Sequence, residues 1–189
     1  MISGNLKYFI LDTYNHVKKV VITGPESSGK STLTKELADF FNTEYYSEYA
    51  RTYIENLSGK YTYDDLISIA KQQIKELSGT DIRKGSKFIF YDTGLIITKV
   101  WFEYVFHKVP NFLLNSLKEI KIDCYLLCYP DLPWKPDNVR ENGGNIRFEL
   151  FEKYKKEIEK YKINYLIIRN KGNQRFLSAK EYLSSAYCL

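Results

Sequence analysis

The chain has 189 residues, 44% of them hydrophobic and 27% charged, which predicts one globular domain with a buried core. Its net charge of +5 comes from 28 basic and 23 acidic residues, and because the two signs are interleaved, we expect no nucleic-acid-binding surface. No apolar run is long enough to span a membrane, residues 1–20 lack a signal-peptide pattern, and the three cysteines fit reduced thiols. These features favour a cytoplasmic protein without a membrane partner.

The predicted elements alternate between strands and helices from residue 19 onward. Residues 1–18 have no clear pattern, so we treat them as an N-terminal appendage, with an optional strand at 6–11, and residues 19–189 as one domain. Strands are predicted at 19–22, 43–46, 87–91, 123–128 and 164–168, and helices at 30–41, 63–78, 95–106, 111–118, 147–161 and 175–186. This alternation predicts an α/β fold, a five-stranded parallel sheet with helices on both faces.

A phosphate-binding loop pattern lies between the first predicted strand and helix. Gly24 is followed after four residues by Gly29-Lys30-Ser31, which matches G-x-x-x-x-G-K-[ST]. Glycines let the backbone approach a phosphate, Lys30 would reach the β- and γ-phosphates, and Ser31 would ligate Mg²⁺. The alternative is a plain glycine turn. The residues predicted to contact a triphosphate are Gly24, Glu26, Ser27, Ser28, Gly29, Lys30, Ser31 and Thr32.

Two carboxylates follow predicted strands at the sheet edge where α/β proteins bind ligands. Asp92 ends the apolar run FIFYD, the position of the aspartate that holds Mg²⁺ in P-loop nucleotidases; the alternative is a helix N-cap, shared with Thr93. Glu48 follows the second strand and could bind a sugar hydroxyl or act as a base toward it. The alternative for Glu48 is an ion pair with Arg51, one helical turn further on.

The segment 133–147 follows the fourth strand, where many nucleoside and nucleotide kinases carry a lid. It contains Trp134, Asp137, Arg140 and Arg147. We expect at least one of the two arginines to reach the triphosphate and to stabilise the charge that develops in phosphoryl transfer; the alternative is two surface arginines. Aromatic residues near the strand ends could either stack on a flat ring or serve in packing: Tyr45, Tyr49, Trp101 and Tyr104.

Taken in order, these motifs resemble a known family. GPESSGKST, SEYAR, YDTGLIITKVW, YLLCYPDLPW and DNVR are similar to the ribosylnicotinamide kinase domain of bacterial NadR-type NAD-biosynthesis proteins, and the likeness extends from about residue 19 to the C-terminus. It implies a thymidylate-kinase-like P-loop NTPase fold. It also implies transfer of the ATP γ-phosphate to the 5′-hydroxyl of nicotinamide riboside, which gives nicotinamide mononucleotide.

The resemblance implies a role for individual residues of this chain. It implies ATP on residues 24–32, Mg²⁺ near Ser31 and Asp92, and a lid role for Arg140; the implied catalytic residues are Lys30, Asp92, Glu48 and Arg140. The riboside is implied near Glu48, Tyr49, Arg51, Asp92 and Trp101, with Gln73 as a further candidate. Nicotinamide riboside is a cation, so carboxylates and aromatic faces would favour its binding.

Two departures from the family pattern concern acidic residues. The family commonly has Asp-Thr-Asp after the third strand and Trp-x-Asp-Asp-Gly-x-Arg in the lid, whereas this chain has Asp92-Thr93-Gly94 and Trp134-Lys-Pro-Asp137-Asn-Val-Arg140. One carboxylate fewer at each place would weaken binding of a cationic riboside. Another nucleoside or deoxynucleoside kinase therefore remains an alternative, as does a regulatory ATPase that phosphorylates no small molecule.

A second activity of the family is not expected here. Its bifunctional members add an adenylyltransferase domain with a paired-histidine motif, whereas this chain has two widely separated histidines, His16 and His107. We therefore expect no synthesis of NAD from the mononucleotide, and we leave a homo-oligomer open.

Overall fold

The computed structural model describes residues 16–79 and 85–187, and within these ranges the chain forms five strands and seven helices. The strands are β1 (Lys18–Thr23), β2 (Tyr45–Tyr46), β3 (Phe88–Asp92), β4 (Cys124–Cys128) and β5 (Tyr165–Ile168). The helices are α1 (Lys30–Phe40), α2 (Tyr49–Glu55), α3 (Tyr63–Ser78), α4 (Leu95–Phe106), α5 (Asn111–Glu119), α6 (Ile146–Lys160) and α7 (Asn173–Ala186).

The five strands form one parallel sheet in the order β2-β3-β1-β4-β5. β1 lies at the centre, and its Val21 is opposite Tyr91 of β3 and Tyr125 of β4. The carboxyl ends of β1 and β3 are therefore neighbours, so the loop that follows β1 lies beside the residues that follow β3. The predicted five-stranded parallel sheet is confirmed.

Alternate residues of the strands pack against two helical layers. Val20 and Ile22 of β1 face α1 and α7, whereas Val21 faces the opposite layer, which contains α3, α4 and α6. The strands are nearly continuous apolar runs because both faces of a parallel sheet are covered. Helices on both faces, as predicted, are thus confirmed.

The predicted boundaries differ from the structure mainly around β2. The strand expected over 43–46 is limited to Tyr45–Tyr46, and helix α2, which the sequence did not indicate, begins directly after Glu48. α2 has seven residues and buries only Ala50, so it carries too short an apolar pattern for periodicity to detect. The optional strand at 6–11 lies outside the described residues.

Two expectations from composition concern buried thiols and membranes. Cys124 and Cys128 are buried and free, as predicted, while Cys188 lies outside the described residues. Among the helices that the structure describes, none is long and apolar enough to cross a membrane.

Candidate active site

A cavity of about 380 Å³ opens at the carboxyl edge of the sheet, within the range of small-molecule sites, roughly 300–1,000 Å³. One wall is the phosphate loop, and all eight loop residues that were predicted to contact a triphosphate line it. The other walls are Glu48 and α2, the aromatic side of α4, and a lid segment, which we define as residues 133–145. The structure thus brings the phosphate loop, Glu48 and the lid together around one cavity.

The glycines of the phosphate loop are required by backbone geometry. Gly24 has a φ of +143° and Gly29 a φ of +80°, values that residues with a side chain rarely adopt. A Cβ at Gly24 would lie 2.5 Å from the carbonyl oxygen of Cys128 at the end of β4. The alternative of a plain turn does not explain why the loop presses so closely on the sheet.

Buried arginines hold the carbonyl groups of the phosphate loop. Arg147 donates from Nε to the carbonyl of Glu26 at 3.0 Å and from Nη2 to that of Ser27 at 3.3 Å, and Arg175 donates from Nη2 to that of Ser28 at 2.7 Å. Both arginines are 5% exposed, and neither lines the cavity. In a trans peptide the C=O and the following N–H point in opposite directions. The N–H groups of residues 27–29 consequently point away from these guanidinium groups, and because all three residues line the cavity, these N–H groups are candidate donors to an anion.

Arg147 does not fill the role proposed for a lid arginine. Besides the two loop carbonyls, its Nη1 donates to the carbonyl of Leu132 at 2.9 Å, so its nitrogens support the protein backbone. Of the two arginines predicted in the lid, Arg140 lines the cavity. Its guanidinium contacts the Lys135 carbonyl at 2.7 Å and the Asp137 carboxylate at 3.3 Å. Of the two arginines, Arg140 is therefore the one that lies at the cavity.

Asp92 lies behind the phosphate loop rather than in the cavity wall. It is 5% exposed, and Oδ1 has no hydrogen-bond partner within the described residues. Burial raises the pKa of Asp92, while the Lys30 ammonium and a hydrogen bond from Ser31 act to lower it. The helix-cap alternative is wrong, because the N-cap of α4 is Gly94 and no side chain caps it.

The residue after Asp92 has a strained backbone. Thr93 has a φ of +74°, which is costly for a β-branched residue, about 1–3 kcal/mol. Its N–H donates to the carbonyl of Ile22 in β1 at 2.9 Å, which joins the residue after β3 to the neighbouring strand. This hydrogen bond holds the backbone next to Asp92 in the strained conformation.

Glu48 is the carboxylate that lines the cavity. It is the N-cap residue of α2, but its side chain makes no capping hydrogen bond. Burial raises the pKa of Glu48; Lys30 lowers it, and the neighbouring Asp92 raises it further. The alternative, an ion pair of Glu48 with Arg51, is not seen among the described residues: the Arg51 guanidinium lies 2.6 Å from Asp137 and 3.0 Å from Glu55.

Ser31 and Asp92 suit a magnesium ion. The described residues contain no cluster of three His, Cys, Asp or Glu side chains that could hold a metal. Mg²⁺, however, takes few protein ligands and completes its shell with water and phosphate oxygens. The unpartnered buried Oδ1 of Asp92 beside the Ser31 hydroxyl is an oxygen donor set of this kind.

Aromatic side chains form the wall that faces the loop. Trp101 and Tyr104 of α4 line the cavity together with Tyr61 and Tyr154, and the ring centroids of Tyr61 and Trp101 are 4.9 Å apart in an edge-to-face arrangement. Trp101 and Tyr104 were among the aromatic candidates from the sequence. Tyr61 and Tyr154 were not, because they come from a loop and from α6, far apart in sequence.

Three predicted substrate residues, Tyr49, Gln73 and Asp92, lie outside this cavity. Tyr49 and Gln73 line a small neighbouring space with Asp92. Gln73 is buried and accepts a hydrogen bond from the Thr98 hydroxyl, so it joins α3 to α4. Tyr45 is exposed and does not line either space. Among the predicted substrate residues, the cavity contains Glu48, Arg51 and Trp101.

The strand–loop–helix unit at the centre of a 2-3-1-4-5 parallel sheet, with an aspartate after the adjacent strand, defines a P-loop NTPase. A family model described as an AAA domain matches residues 19–175, and the chain belongs to this family.

The chain is also similar to characterised proteins. It is 28% identical over 142 residues to the trifunctional NAD biosynthesis/regulator protein NadR of Salmonella typhimurium. This alignment covers 72% of this chain but only 34% of that protein. A crystal structure of a NadR protein in complex with NR matches 92% of this chain and 50% of its own, with a TM-score of 0.74 and 22% identity. Thymidylate kinase from Ehrlichia chaffeensis matches 89% of this chain and 99% of its own, with a TM-score of 0.64 and 13% identity. The resemblance to NadR-type P-loop kinase domains and the thymidylate-kinase-like fold are confirmed.

Replacing Gly24 by Ala should abolish productive loop geometry. The new Cβ would lie 2.5 Å from the Cys128 carbonyl oxygen, so the loop must move and its N–H groups lose their alignment. We expect the affinity for a non-hydrolysable ATP analogue, measured by calorimetry, to fall at least about tenfold, or about 1.4 kcal/mol. Gly59→Ala is the control, because a Cβ there meets nothing within 4 Å. Equal affinities in the two variants would contradict the role of Gly24.

Replacing Asp92 by Asn should stabilise the protein at neutral pH. Burial raises the pKa of Asp92 above its ordinary value of 3.8, so this carboxyl destabilises the fold increasingly as pH rises through its folded-state pKa. In magnesium-free buffer, D92N should have the larger free energy of unfolding at pH 7, and the difference should shrink as pH falls toward 3.8. Denaturant titrations at several pH values measure this, with Asp39→Asn on α1 as control, expected to change stability by less than about 0.5 kcal/mol. A D92N protein less stable than wild type at pH 7 would refute it.

Proposed function

We propose that the protein is an ATP- and Mg²⁺-dependent kinase that phosphorylates the 5′-hydroxyl of nicotinamide riboside to give nicotinamide mononucleotide. The observation that carries this proposal is the lining of the cavity, which combines the phosphate loop and its Lys30 with Glu48 and several aromatic side chains. A site for nucleotide binding alone would not need a carboxylate and flat rings opposite the loop. The chain spans only 34% of the trifunctional NadR protein from Salmonella typhimurium. The proposal therefore concerns the kinase reaction and not the other activities of that protein.

The proposed roles follow from where each side chain lies. The loop N–H groups and Lys30 bind the triphosphate, and Arg140 approaches it from the lid to offset the charge of the transferred phosphoryl group. Ser31 and Asp92 would hold Mg²⁺, which supplies charge neutralisation on the phosphate oxygens when bound. Sequence alone left the base undecided between two carboxylates. Glu48 lines the cavity and Asp92 does not, so we propose Glu48 as the group that accepts the hydroxyl proton.

The acceptor is proposed from the chemistry of the cavity together with the similar proteins. Trp101 and Tyr61 offer faces or edges to a planar ring, and Glu48 and Glu141 add negative charge, a combination that favours a cationic heterocycle. Gly94 leaves no carboxylate at the position where the family commonly has one; a Cβ there would lie 3.0 Å from Val21 of β1. The NadR structure bound to NR supports nicotinamide riboside over other nucleosides. Cytoplasmic localisation and the absence of a nucleic-acid partner stay predictions.

Turnover with a panel of acceptors tests the substrate directly. We expect ADP release to depend on nicotinamide riboside, and thymidine, cytidine and adenosine to be poorer acceptors because they lack the positive charge. A coupled assay for ADP with each acceptor, and with none, measures this. Turnover of another nucleoside without turnover of nicotinamide riboside would contradict the proposed identity of the substrate. ATP binding without acceptor-dependent ADP release from any of them would favour the regulatory ATPase.

Replacing Glu48 by Gln tests the proposed base. Loss of the proton acceptor should lower kcat about 10²- to 10⁴-fold, with the KM for ATP nearly unchanged because the loop and Lys30 are intact. Since burial raises the pKa of Glu48, the wild-type rate should fall on the acid side at a pH above the ordinary carboxyl range. Glu44→Gln, an exposed residue before β2, is the control. Unchanged kcat in E48Q would mean that Glu48 is not the base.

A further inference from the structure

The side chain of Glu26 joins the phosphate loop to the lid. Its carboxylate accepts hydrogen bonds from the indole Nε1 of Trp134 at 3.3 Å and from the backbone N–H groups of Glu141 at 3.2 Å and Asn142 at 3.0 Å. The amide Nδ2 of Asn142 adds a fourth at 3.1 Å. All four donors belong to the lid, so the Glu26 carboxylate is engaged by the lid while its backbone remains in the loop. Its function is therefore in the contact between loop and lid.

The neighbouring loop residue repeats this contact. The Ser27 hydroxyl accepts from the backbone N–H of Lys135 at 3.1 Å. Three lid N–H groups, those of residues 135, 141 and 142, thus donate to side chains of the phosphate loop. The carbonyls of Glu26 and Ser27 are in turn held by the buried Arg147. The lid consequently contacts loop residues whose backbone is fixed from the opposite side.

The lid is also joined to the aromatic wall of the cavity. The Tyr61 hydroxyl donates to the carboxylate of Glu141 at 3.0 Å, and the Tyr61 ring packs edge-to-face on Trp101. Glu141 therefore has its N–H on the phosphate loop and its carboxylate on the wall opposite. A contact path runs from Trp101 through Tyr61 and Glu141 to Glu26.

The lid turn between these anchors is ordered by its own contacts. Asp137 accepts from the N–H groups of Val139 and Arg140 at 3.0 Å each, and Arg51 of α2 lies 2.6 Å from it. Although burial acts to raise it, hydrogen bonds from Arg51 and from these two amides hold the pKa of Asp137 below its usual value. These contacts do not involve Glu26 or Tyr61, so the turn can stay intact, held on α2 by Arg51, when the contacts to Glu26 and Tyr61 break.

We propose that Glu26 and Tyr61 are positioning residues that couple the phosphate loop and the aromatic wall through the lid, so that nucleotide on the loop favours lid closure over the acceptor. The buried arginines hold the loop carbonyls but not the Glu26 side chain; a triphosphate that restricts this side chain removes part of its ordering entropy before the lid closes. By reciprocity, an acceptor that packs on the wall and steadies Tyr61 strengthens nucleotide binding by the same factor. The proposal does not depend on the identity of the acceptor.

Amide hydrogen exchange detected by NMR, with and without saturating AMP-PNP and Mg²⁺, tests this coupling. In the wild-type protein, AMP-PNP should slow exchange of the Glu141 and Asn142 amides about fivefold or more, the lower end of typical allosteric coupling. In Glu26→Gln and in Tyr61→Phe, the slowing should fall to less than about twofold at full occupancy, verified by titration. The Val139 and Arg140 amides, which bind Asp137, serve as an internal reference for the intact turn.

Matched controls separate coupling from loss of structure. Tyr53→Phe removes a hydroxyl that donates to the Asp65 carboxylate at 2.9 Å, the same kind of contact away from the lid, and Glu36→Gln changes an exposed residue of α1. Both should keep the wild-type response to AMP-PNP. Slowing that persists in either E26Q or Y61F, slowing that is lost in the controls, or a wild-type protein that binds AMP-PNP without protecting these amides would each overturn the proposal.

Discussion

The site depends on the fixation of the phosphate-loop carbonyls by two buried arginines. Arg147 and Arg175 come from α6 and α7, on opposite faces of the sheet, and both reach the loop after β1. In a trans peptide, each carbonyl that they hold directs the next N–H away from the arginine. The proposed anion site therefore depends on two residues, one from each helical layer, that do not line the cavity.

The acidic side chains around the phosphate loop have different partners. The charge of Lys30 acts against the rise in the pKa of both Glu48 and Asp92 that burial causes. The carboxylate of Glu26, which lies in the phosphate loop itself, accepts hydrogen bonds from Asn142 of the lid. Two acids thus remain for chemistry, one in the cavity wall and one behind the loop. Their separation supports a division of labour between proton acceptor and metal ligand.

The sequence was sufficient for the features that local rules determine. The loop motif, Asp92 after an apolar strand and the boundaries of α3 and α4 follow from spacing and periodicity within about 20 residues. The parallel sheet follows from alternation alone. Glu48 was placed correctly at the sheet edge, because strand ends of a parallel sheet share that edge.

Contacts between distant segments were beyond such rules. Arg147 was one of two arginines of which at least one was expected to reach phosphate, yet its guanidinium donates to the backbone carbonyls of Glu26 and Leu132. Arg175 carried no signal other than a helix start. Glu26 was expected to contact the nucleotide, and only the structure reveals that its side chain binds lid amides 115 and 116 residues further along the chain. Which hydrogen-bonding groups meet in these cases is decided by how α6, α7 and the lid pack over the loop.

A crystal structure with AMP-PNP, Mg²⁺ and nicotinamide riboside is the most direct test of the account. In this crystal structure we expect phosphate oxygens on the N–H groups of residues 27–29, the riboside hydroxyl at Glu48 and the nicotinamide ring against Trp101. A triphosphate on the loop with the riboside bound elsewhere, or with its hydroxyl away from Glu48, would contradict the account.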